Sequence, residues 1–434
     1  YRAEIEHWLA VNPFAYSVNW ACPMDVALRA INWIWGFHFM SASTACRDTT
    51  FRRSLIRSLF MHGEFVARHL ERGDVNGNHY LSDAVGLVGL GLIFQHTAAG
   101  RRWLAVGRGI LVDEMPLQVS ADGVDFEQST SYQRLVLELF LTGYLLLERH
   151  GETVPEPQRA RLIEMGKYVA AYTKPSGVAP LIGPHAHVVV DLAEVGMRGR
   201  GGHGHNDITS FELYFNGANI VTDCGAYLYT ASREWRNRFR STAFHNVAQV
   251  DDQELNRFIG PDALWQLRDD ARPVGVRWSF NPSGSYLEGG HTAYQRLTPP
   301  VNSTREFFVD AAEPVVTLRD IVDGNAGPVT WRLHLDPDAR ASVSGTDCQV
   351  WAGGREAWLL AGPGQSHRWS IEDGWVSPSY GIRVPTQVLV LQMPSGPTTM
   401  TIIFADRQLS EAARLRAVAA LDTAAAGAQT KDNE

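Results

Sequence analysis

The chain has 434 residues, which is long enough for two or three domains with buried cores. Hydrophobic residues make up 45% and charged residues 20%, as in an ordinary globular protein, and no apolar run approaches the ~18 to 20 residues of a membrane span. The formal net charge of −8 argues against non-specific binding to nucleic acid, although a local cluster of Arg and His could still bind an acidic substrate. The four cysteines lie far apart, so they predict neither a disulfide framework nor a Cys-based zinc site.

The first part of the chain predicts helices. Apolar residues recur at helical spacing, and each periodic segment ends near Gly, Asn or Pro. Short connections between successive helices predict antiparallel hairpins, and a ring of such hairpins is an α/α toroid. The helices are too few for a closed ring, so we expect an incomplete toroid over residues 1–185. The predicted helices cover residues 24–40, 51–70, 80–98, 101–115, 131–150 and 155–173.

After residue 186 the apolar period changes to two, which predicts strands. The segment 209–223 reads as two strands around Asn216-Gly217, a strong signal for a two-residue hairpin loop. Many strands without intervening helices predict an antiparallel β-sandwich over residues 186–410, hence a two-domain α+β protein. Residues 411–434 predict a short helix or a frayed tail. Further predicted strand segments cover residues 303–325, 329–337, 348–362 and 386–406.

Two polar groups stand at the starts of predicted helices. Asn78 and His79 precede one apolar helix, and Glu127 and Tyr132 precede another. Each group has a purely structural interpretation, in which the polar residues cap the helix and Tyr132 is half buried. Taken alone, each group favours that interpretation.

A third group is the segment "HGHND" at residues 203–207. Residues two apart share a face of an extended segment, so His203 and His205 are expected to project together. Two histidines on one face are a common start of a metal site, but packing explains them equally well.

Two later residues offer further ligands. Asp223 lies on the second strand of the predicted hairpin, and His245 follows in the segment "FHN". His205, Asp223 and His245 form a two-histidine, one-carboxylate set that suits Zn²⁺. Asp207 or Asn206 could orient one of the histidine rings by a hydrogen bond without binding the ion. The alternative for His245 is an ordinary buried histidine with its hydrogen bonds satisfied.

Taken together, these motifs resemble those of the heparinase II/III-type polysaccharide lyases, which include alginate and oligoalginate lyases. The resemblance implies the toroid and the β-sandwich. It also implies β-elimination, in which a proton leaves C5 of a uronic acid, the bond to O4 breaks, and a C4=C5 double bond remains. The substrate is then an acidic polysaccharide or oligosaccharide. The motifs are "NHY" at 78–80, "EQSTSYQ" at 127–133, "HGHND" at 203–207, "TDCG" at 222–225 and "FHN" at 244–246.

The resemblance also implies catalytic roles. Asn78 and His79 would neutralise the substrate carboxylate, with His203 also in the cleft. Tyr132 would take the C5 proton and could return one to O4. His79 or His203 could instead be the base for a substrate of opposite C5 configuration.

Binding roles follow in the same way. Glu127 and Arg240 are expected to contact the substrate, Arg240 because a guanidinium matches a carboxylate fork. By the same resemblance, His205, Asp223 and His245 bind a structural zinc ion, and no organic cofactor is expected. The expected location is the periplasm or outside the cell, with the cytoplasm as the alternative.

Two other functions remain open. A zinc-dependent glycan hydrolase would use the same ligands with an open position for water. A non-catalytic protein that binds acidic glycans could share the fold, because fold does not fix function. His185 and His187, in "GPHAHVVVD", could add a subsite or a stray metal ligand.

Overall fold

The computed structural model describes residues 1–173, 186–324 and 327–430. The chain divides into two compact units, Tyr1–Ala170 and Ala171–Glu434. The first is helical and the second is built mainly of strands, so the fold is mixed helix and sheet. His185 lies outside the described residues. None of the helices in the described ranges is both long and apolar enough to cross a membrane.

The helical unit contains all six of the predicted helices. The largest difference is at α5, which ends at Ile93 instead of residue 98 because the Thr97 hydroxyl accepts the N–H of Gly100 and starts the next helix. Two shorter helices were not predicted. The helices are α1 (Arg2–Val11), α2 (Pro23–Met40), α3 (Thr44–Arg47), α4 (Thr49–Arg68), α5 (Asn78–Ile93), α6 (Ala98–Gln118), α7 (Thr130–Arg149) and α8 (Glu156–Tyr172).

Helix α5 is the centre of this unit. It packs against α2, α4, α6 and α7, and nearly all of its residues are buried. A Cβ on Gly86 would lie 2.6 Å from the Cβ of Ala27, and a Cβ on Gly91 would lie 2.6 Å from the backbone nitrogen of Leu104. Only glycine permits these close approaches. The packing therefore fixes the start of α5, where Asn78 and His79 lie.

The second unit contains three sheets in which all neighbouring strands are antiparallel. The sheets have the strand orders β1-β2-β3, β10-β11-β12-β15-β8-β7-β6-β5-β16 and β13-β14-β9-β4. The strands are β1 (Ala186–Val190), β2 (Phe211–Phe215), β3 (Ala218–Val221), β4 (Ala248–Val250), β5 (Pro273–Asn281), β6 (Gly284–His291), β7 (Asn302–Asp310), β8 (Val315–Asp323), β9 (Val329–His334), β10 (Arg340–Ser344), β11 (Asp347–Ala352), β12 (Arg355–Ala361), β13 (Ser370–Ser379), β14 (Ile382–Met393), β15 (Thr398–Ala405) and β16 (Gln429–Thr430).

One hydrophobic core is shared by the three sheets. Phe211 of the first, Phe404 of the second and Trp331 of the third belong to the same buried cluster. The predicted hairpin is confirmed, since Asn216 and Gly217 both have positive φ and connect β2 to β3. The cluster places the end of β3, which leads into Asp223, on a rigid support.

Several elements of this unit were missed. β5 has little buried surface, and β13 begins with four exposed residues, so neither shows clear alternation. A short helix, α9 (Arg233–Phe239), interrupts the strands and carries Arg236 and Arg238, which are discussed below. The helix predicted after residue 411 was not missed: it is α10 (Glu411–Ala426), which packs Leu421 and Ala424 against Tyr286 and Phe308 of the large sheet.

Candidate active site

Asn78 is held at the start of α5 by Glu127. The Glu127 carboxylate accepts the backbone N–H of Asn78 at 3.0 Å, and its two oxygens accept from Asn78 Nδ2 at 2.9 and 3.0 Å. The side chain of Asn78 therefore does not cap its own helix, and the orphan N–H is satisfied from another part of the chain. Both residues are buried. Burial raises the pKa of Glu127, against the opposing hydrogen bonds from Asn78.

The contacts of Asn78 fix the direction of its amide. Because Asn78 Nδ2 points to Glu127, Oδ1 faces away from it. Oδ1 is buried and makes no hydrogen bond with any described residue. An unsatisfied buried acceptor costs about 1–3 kcal/mol, so a donor on a bound molecule or a water would stabilise it. Glu127 was predicted to contact the substrate, and in the structure its carboxylate contacts Asn78.

His79 is held by a second carboxylate that the sequence did not indicate. Its Nδ1 is hydrogen-bonded to Glu71, whose other oxygen accepts from the thiol of Cys22 at 3.2 Å. Asp83, one turn further along α5, accepts the backbone N–H of Glu71 at 2.8 Å. The hydrogen bond to Glu71 raises the pKa of His79 above its ordinary value. The His79 side chain remains 52% exposed.

This arrangement decides what the exposed edge of His79 can do. Since Glu71 takes the Nδ1 hydrogen, Nε2 is the remaining position. A raised pKa favours the imidazolium, in which Nε2–H is a donor rather than a base. Glu71 was missed because it lies in the loop before α5, eight residues from His79, and no periodic pattern connects the two.

Tyr132 is the third residue of α7 and is half buried. The next residue, Gln133, accepts the N–H of Asp125 at 2.7 Å and donates to the carbonyl of Gly123 at 2.9 Å. Gln133 thus ties the loop that carries Glu127 to the first turn of α7. The loop also buries the carboxyl of Asp125, and burial, with repulsion from Glu127, raises the pKa of Asp125 to about 8.

In the strand unit, His245 connects the predicted metal ligands. Its Nδ1 lies 2.8 Å from Asp223 Oδ2, and its ring centroid lies 5.2 Å from that of His205. His245 is fully buried, and its Nε2 has no hydrogen-bond partner among the described residues. Burial disfavours the imidazolium, but the Asp223 carboxylate outweighs burial and raises the pKa of His245 to about 9.

Asp207 adds a second carboxylate to this cluster. One ligand atom each from His205, Asp207 and His245 lies within 4.8 Å of the others, and the same holds for Asp223, Cys224 and His245. The sequence predicted that Asp207 orients a ligand without binding the ion. In the structure its carboxylate lies close enough to His205 and His245 to be a ligand itself. Asn206 instead donates from Nδ2 to Glu254 at 2.8 Å and so joins the loop to a later segment.

Arg236 is a further neighbour that the sequence did not reveal. Its Nη1 lies 3.1 Å from His205 Nε2, and its guanidinium lies 4.8 Å from the ring centroid of Tyr229. Burial, with repulsion from Arg236, lowers the pKa of His205 well below its ordinary value. A neutral His205 whose Nε2 accepts from Arg236 carries its hydrogen on Nδ1, so binding a metal through Nδ1 would require the other tautomer and a shift of Arg236. Neutral imidazole is the form that binds metals.

His203 lies in a different environment from His205. Its ring centroid lies 5.8 Å from that of Tyr229 and 5.5 Å from that of Trp265. The expectation that the two histidines project together is therefore only partly met, since they contact different residues.

Arg240 does not have the environment expected of a substrate contact. It is fully buried. Its guanidinium donates twice to the side chain of Asn237 and once each to three backbone carbonyls, which uses all five N–H groups. Arg240 holds the loop 263–266 and has no donor left for a substrate carboxylate. The carbonyls belong to Ala263, Leu264 and Gln266.

Comparison with known proteins gives related sequences and folds. A heparin-sulfate lyase of Pedobacter heparinus is 22% identical over 396 residues, which cover 76% of this chain and 57% of the relative. A heparin-sulfate lyase of Bacteroides stercoris is 22% identical over 370 residues, which cover 70% of this chain and 53% of the relative. The chain therefore spans only a little over half the length of these two relatives.

Solved structures give the same fold. The crystal structure of a heparinase III superposes with a TM-score of 0.72 at 14% identity, covering 93% of this chain and 72% of that one. A heparan sulfate lyase mutant from Pedobacter heparinus gives a TM-score of 0.68 at 18% identity, with 94% and 73% covered.

The family models divide the chain in two. The model described as "Heparinase II/III N-terminus" matches residues 4–188, and the one described as "Heparinase II/III-like, C-terminal" matches residues 162–416. The second match alone covers more than half of the sequence. The chain therefore belongs to the heparinase II/III-like family.

Proposed function

We propose that this protein is a polysaccharide lyase that cleaves a uronic-acid-containing acidic polysaccharide by β-elimination and leaves a C4=C5 unsaturated uronate. The observation that carries the proposal is the pairing of His79 with Glu71, which raises the pKa of His79 and so favours a cationic donor on a half-exposed side chain beside Asn78. Membership of a family whose relatives include heparin-sulfate lyases supports it.

The finer fold is part of this proposal. The helical unit is an incomplete α/α toroid, supported by successive helices with short connections. The strand unit is an antiparallel β-sandwich, supported by the single core to which its sheets contribute.

The main chemical difficulty is the substrate carboxylate. Removing the C5 proton places further negative charge beside a group that is already negative, so the enzyme must mask that charge with positioned donors. His79 takes this role through Nε2–H. Asn78 contacts the substrate through Oδ1, which accepts from a sugar hydroxyl or a protonated carboxyl group. This division follows from the orientation that Glu127 gives to the amide.

Tyr132 is the base. A phenol has a pKa of about 10, so nearby positive charge must favour the phenolate. The phenolate oxygen takes the C5 proton, the C5 electrons form the C4=C5 bond, and the C4–O4 bond breaks. The same phenol then protonates O4, which returns Tyr132 to its starting state. His203 is the fourth proposed catalytic residue and donates a hydrogen bond to the sugar.

A structural zinc ion is also proposed, with His205, Asp223 and His245 as ligands. His205, Asp223 and His245 would hold the ion only after side-chain movement, because their ligand atoms fall into two separate groups among the described residues, His205 with Asp207 and His245, and Asp223 with Cys224 and His245. The buried, unpartnered Nε2 of His245 and the carboxylate of Asp207 favour a cation beside His205, whereas Asp223 contacts His245 through Nδ1. The ion would tie the loop 203–207 to the hairpin.

One experiment separates the candidate functions. A panel of uronic-acid polysaccharides is incubated with the protein, and absorbance of the unsaturated product is followed in the ultraviolet. A lyase gives this absorbance and continues in chelator until the fold loosens. A zinc hydrolase gives reducing ends without absorbance and stops at once. A non-catalytic protein binds and gives neither product. Cell location stays a prediction.

The first prediction concerns pH. We expect Glu71→Gln to move the alkaline fall of kcat to lower pH. Glu71 raises the pKa of His79, so the imidazolium persists above the ordinary value and is lost as pH rises through the raised value. Removing the carboxylate lowers that pKa, so the donor is lost earlier. The measurement is kcat against pH for both proteins.

The matched control is Glu64→Gln, which removes a carboxylate from a surface ion pair in α4. Its pH profile should match that of the wild type. An unmoved alkaline limb in Glu71→Gln would show that the protonation of His79 does not limit the reaction.

The second prediction concerns the position of Asn78. We expect Glu127→Gln to lower kcat on the order of 100-fold, because a misplacement of about 1 Å costs that much. Glutamine puts an NH₂ group where Glu127 accepts from Asn78 Nδ2. If Glu127 acts through Asn78, the double variant with Asn78→Ala should be no slower than Asn78→Ala alone. Additive losses would contradict the proposed positioning role, and Asp122→Asn in the same loop is the control.

A further inference from the structure

Arg383 lies in an unusual aromatic environment in the strand unit. Its guanidinium carbon is 3.8 Å from the ring centroid of Trp235 and 4.3 Å from that of Trp375. It also lies 5.5 Å from the ring of Tyr227. Arg383 stands one residue into β14, next to an irregularity in the pairing of β13 with β14. Such irregularities re-aim a side chain, which here is turned towards α9.

The charge of Arg383 is not neutralised. Within residues 1–173, 186–324 and 327–430, no carboxylate pairs with it and no acceptor takes a hydrogen bond from it. Its Nη1 is buried without a partner. Arg238 of α9 is exposed, and it too makes no ion pair within these ranges. Its guanidinium carbon lies 5.1 Å from the centroid of the same Trp235 ring. Two cations therefore share one indole.

The stacking of Arg383 on aromatic rings leaves only the edge of its guanidinium open to a ligand. Aromatic rings cover the faces of a guanidinium, whereas its N–H groups point outwards in its plane. A clamped guanidinium is already oriented, so less freedom is lost when it binds. Its planar fork matches the two oxygens of a carboxylate or a sulfate group. The unpartnered N–H of Arg383 and the second cation on the same indole both favour an anion beside this cluster.

The cluster is connected to His203 by direct contacts. The backbone N–H of Gly381 donates to the carbonyl of Tyr227 at 2.8 Å, which fastens the β13–β14 turn to the loop after β3. Tyr380 of this turn lies 5.5 Å from Tyr229, whose ring contacts His203. Tyr380 is 58% exposed, and an exposed aromatic ring suits stacking on a sugar.

We propose that Arg383, assisted by Arg238, is an anion-binding subsite for a carboxylate or sulfate group on a sugar of the polysaccharide chain. The subsite sets the affinity for the polysaccharide chain and the preference for its charge. The identity of the ligand as an acidic polysaccharide rests on the proposed function; the subsite itself rests on the geometry around Arg383.

The test measures binding in a Tyr132→Phe background, so that the ligand is not consumed. The ligands are heparan sulfate, chemically desulfated heparan sulfate and alginate. Arg383→Gln should weaken binding about 10-fold or more, the effect of losing a charged hydrogen bond. Arg383→Lys keeps the charge without the planar fork, so its Kd should lie between that of the unsubstituted protein and that of Arg383→Gln. Arg355→Gln, which removes an exposed arginine from the same unit, should change the Kd less than 2-fold.

The outcomes are distinct. A loss for all three ligands identifies a carboxylate as the bound anion, and a loss for heparan sulfate alone identifies a sulfate. If Arg383→Gln changes the melting temperature but no Kd, the cluster is only structural and the proposal is overturned. If binding depends on Arg383 but the wild type forms no unsaturated product, the subsite stands and the lyase proposal falls. If the Tyr132→Phe protein that retains Arg383 binds none of the three ligands, the subsite is overturned as well.

Discussion

Tyr132→Phe is expected to lower kcat by about 1,000-fold or more while the protein stays folded. A general acid or base contributes roughly 10²- to 10⁴-fold, and Tyr132 is proposed to act as both. Phenylalanine keeps the ring and loses only the proton-carrying oxygen. The half-buried position of Tyr132 at the start of α7 makes a large loss of stability unexpected. The measurement is the initial rate of ultraviolet absorbance with the best polysaccharide.

Tyr144→Phe is the matched control in the same helix. The hydroxyl of Tyr144 is buried and donates to the carbonyl of Leu111 at 2.9 Å. Its removal should cost about 1 kcal/mol of the free energy of unfolding and leave kcat within about 2-fold. A Tyr132→Phe enzyme that keeps a tenth of the wild-type kcat would exclude Tyr132 as the base.

His245→Ala is expected to abolish zinc binding and to destabilise the strand unit. It removes a fully buried imidazole and leaves Asp223 without its partner. Removing one member of a buried charged pair costs about 3–5 kcal/mol, and the lower figure applies because the Asp223 side chain is 33% exposed. The melting temperature should fall by roughly 6 to 12 °C. Zinc content is measured by atomic emission after dialysis, and unfolding by circular dichroism.

His367→Ala controls for the loss of a buried histidine. His367 packs against Trp369 and has no ring-nitrogen partner in the described part of the chain. This variant should keep its zinc and lose less stability. Full zinc content in His245→Ala, with an unchanged melting temperature, would remove His245 from the ligand set.

The sequence predicted the candidate site better where residues are close in the chain. Asn78 and His79 are visible as a short motif because they are adjacent in the chain, whereas His203 and His205, also close in the chain, contact different residues. The partners of these residues are not visible as motifs. Glu71, Glu127 and Arg236 reach the site from other elements, and nothing in their local sequence indicates the residue that they bind.

For Arg240 the sequence predicted a substrate contact that the structure does not support. A guanidinium next to a histidine motif is chemically suited to a carboxylate, and the sequence favoured that role. The structure instead buries it among carbonyls of the loop 263–266, because a buried guanidinium must have its donors satisfied. Arg383, which no motif marked, keeps its charge without a partner among the described residues.

By itself, the sequence determined the change from helices to strands, six of the helices, the hairpin at Asn216-Gly217 and the family, because hydrophobic period and turn chemistry are local properties. Only the tertiary structure decided which polar groups are satisfied. Hydrogen bonds and ion pairs between distant residues depend on how the elements pack, and this packing gave Asn78 its orientation, His79 its raised pKa and Arg240 its purely structural role.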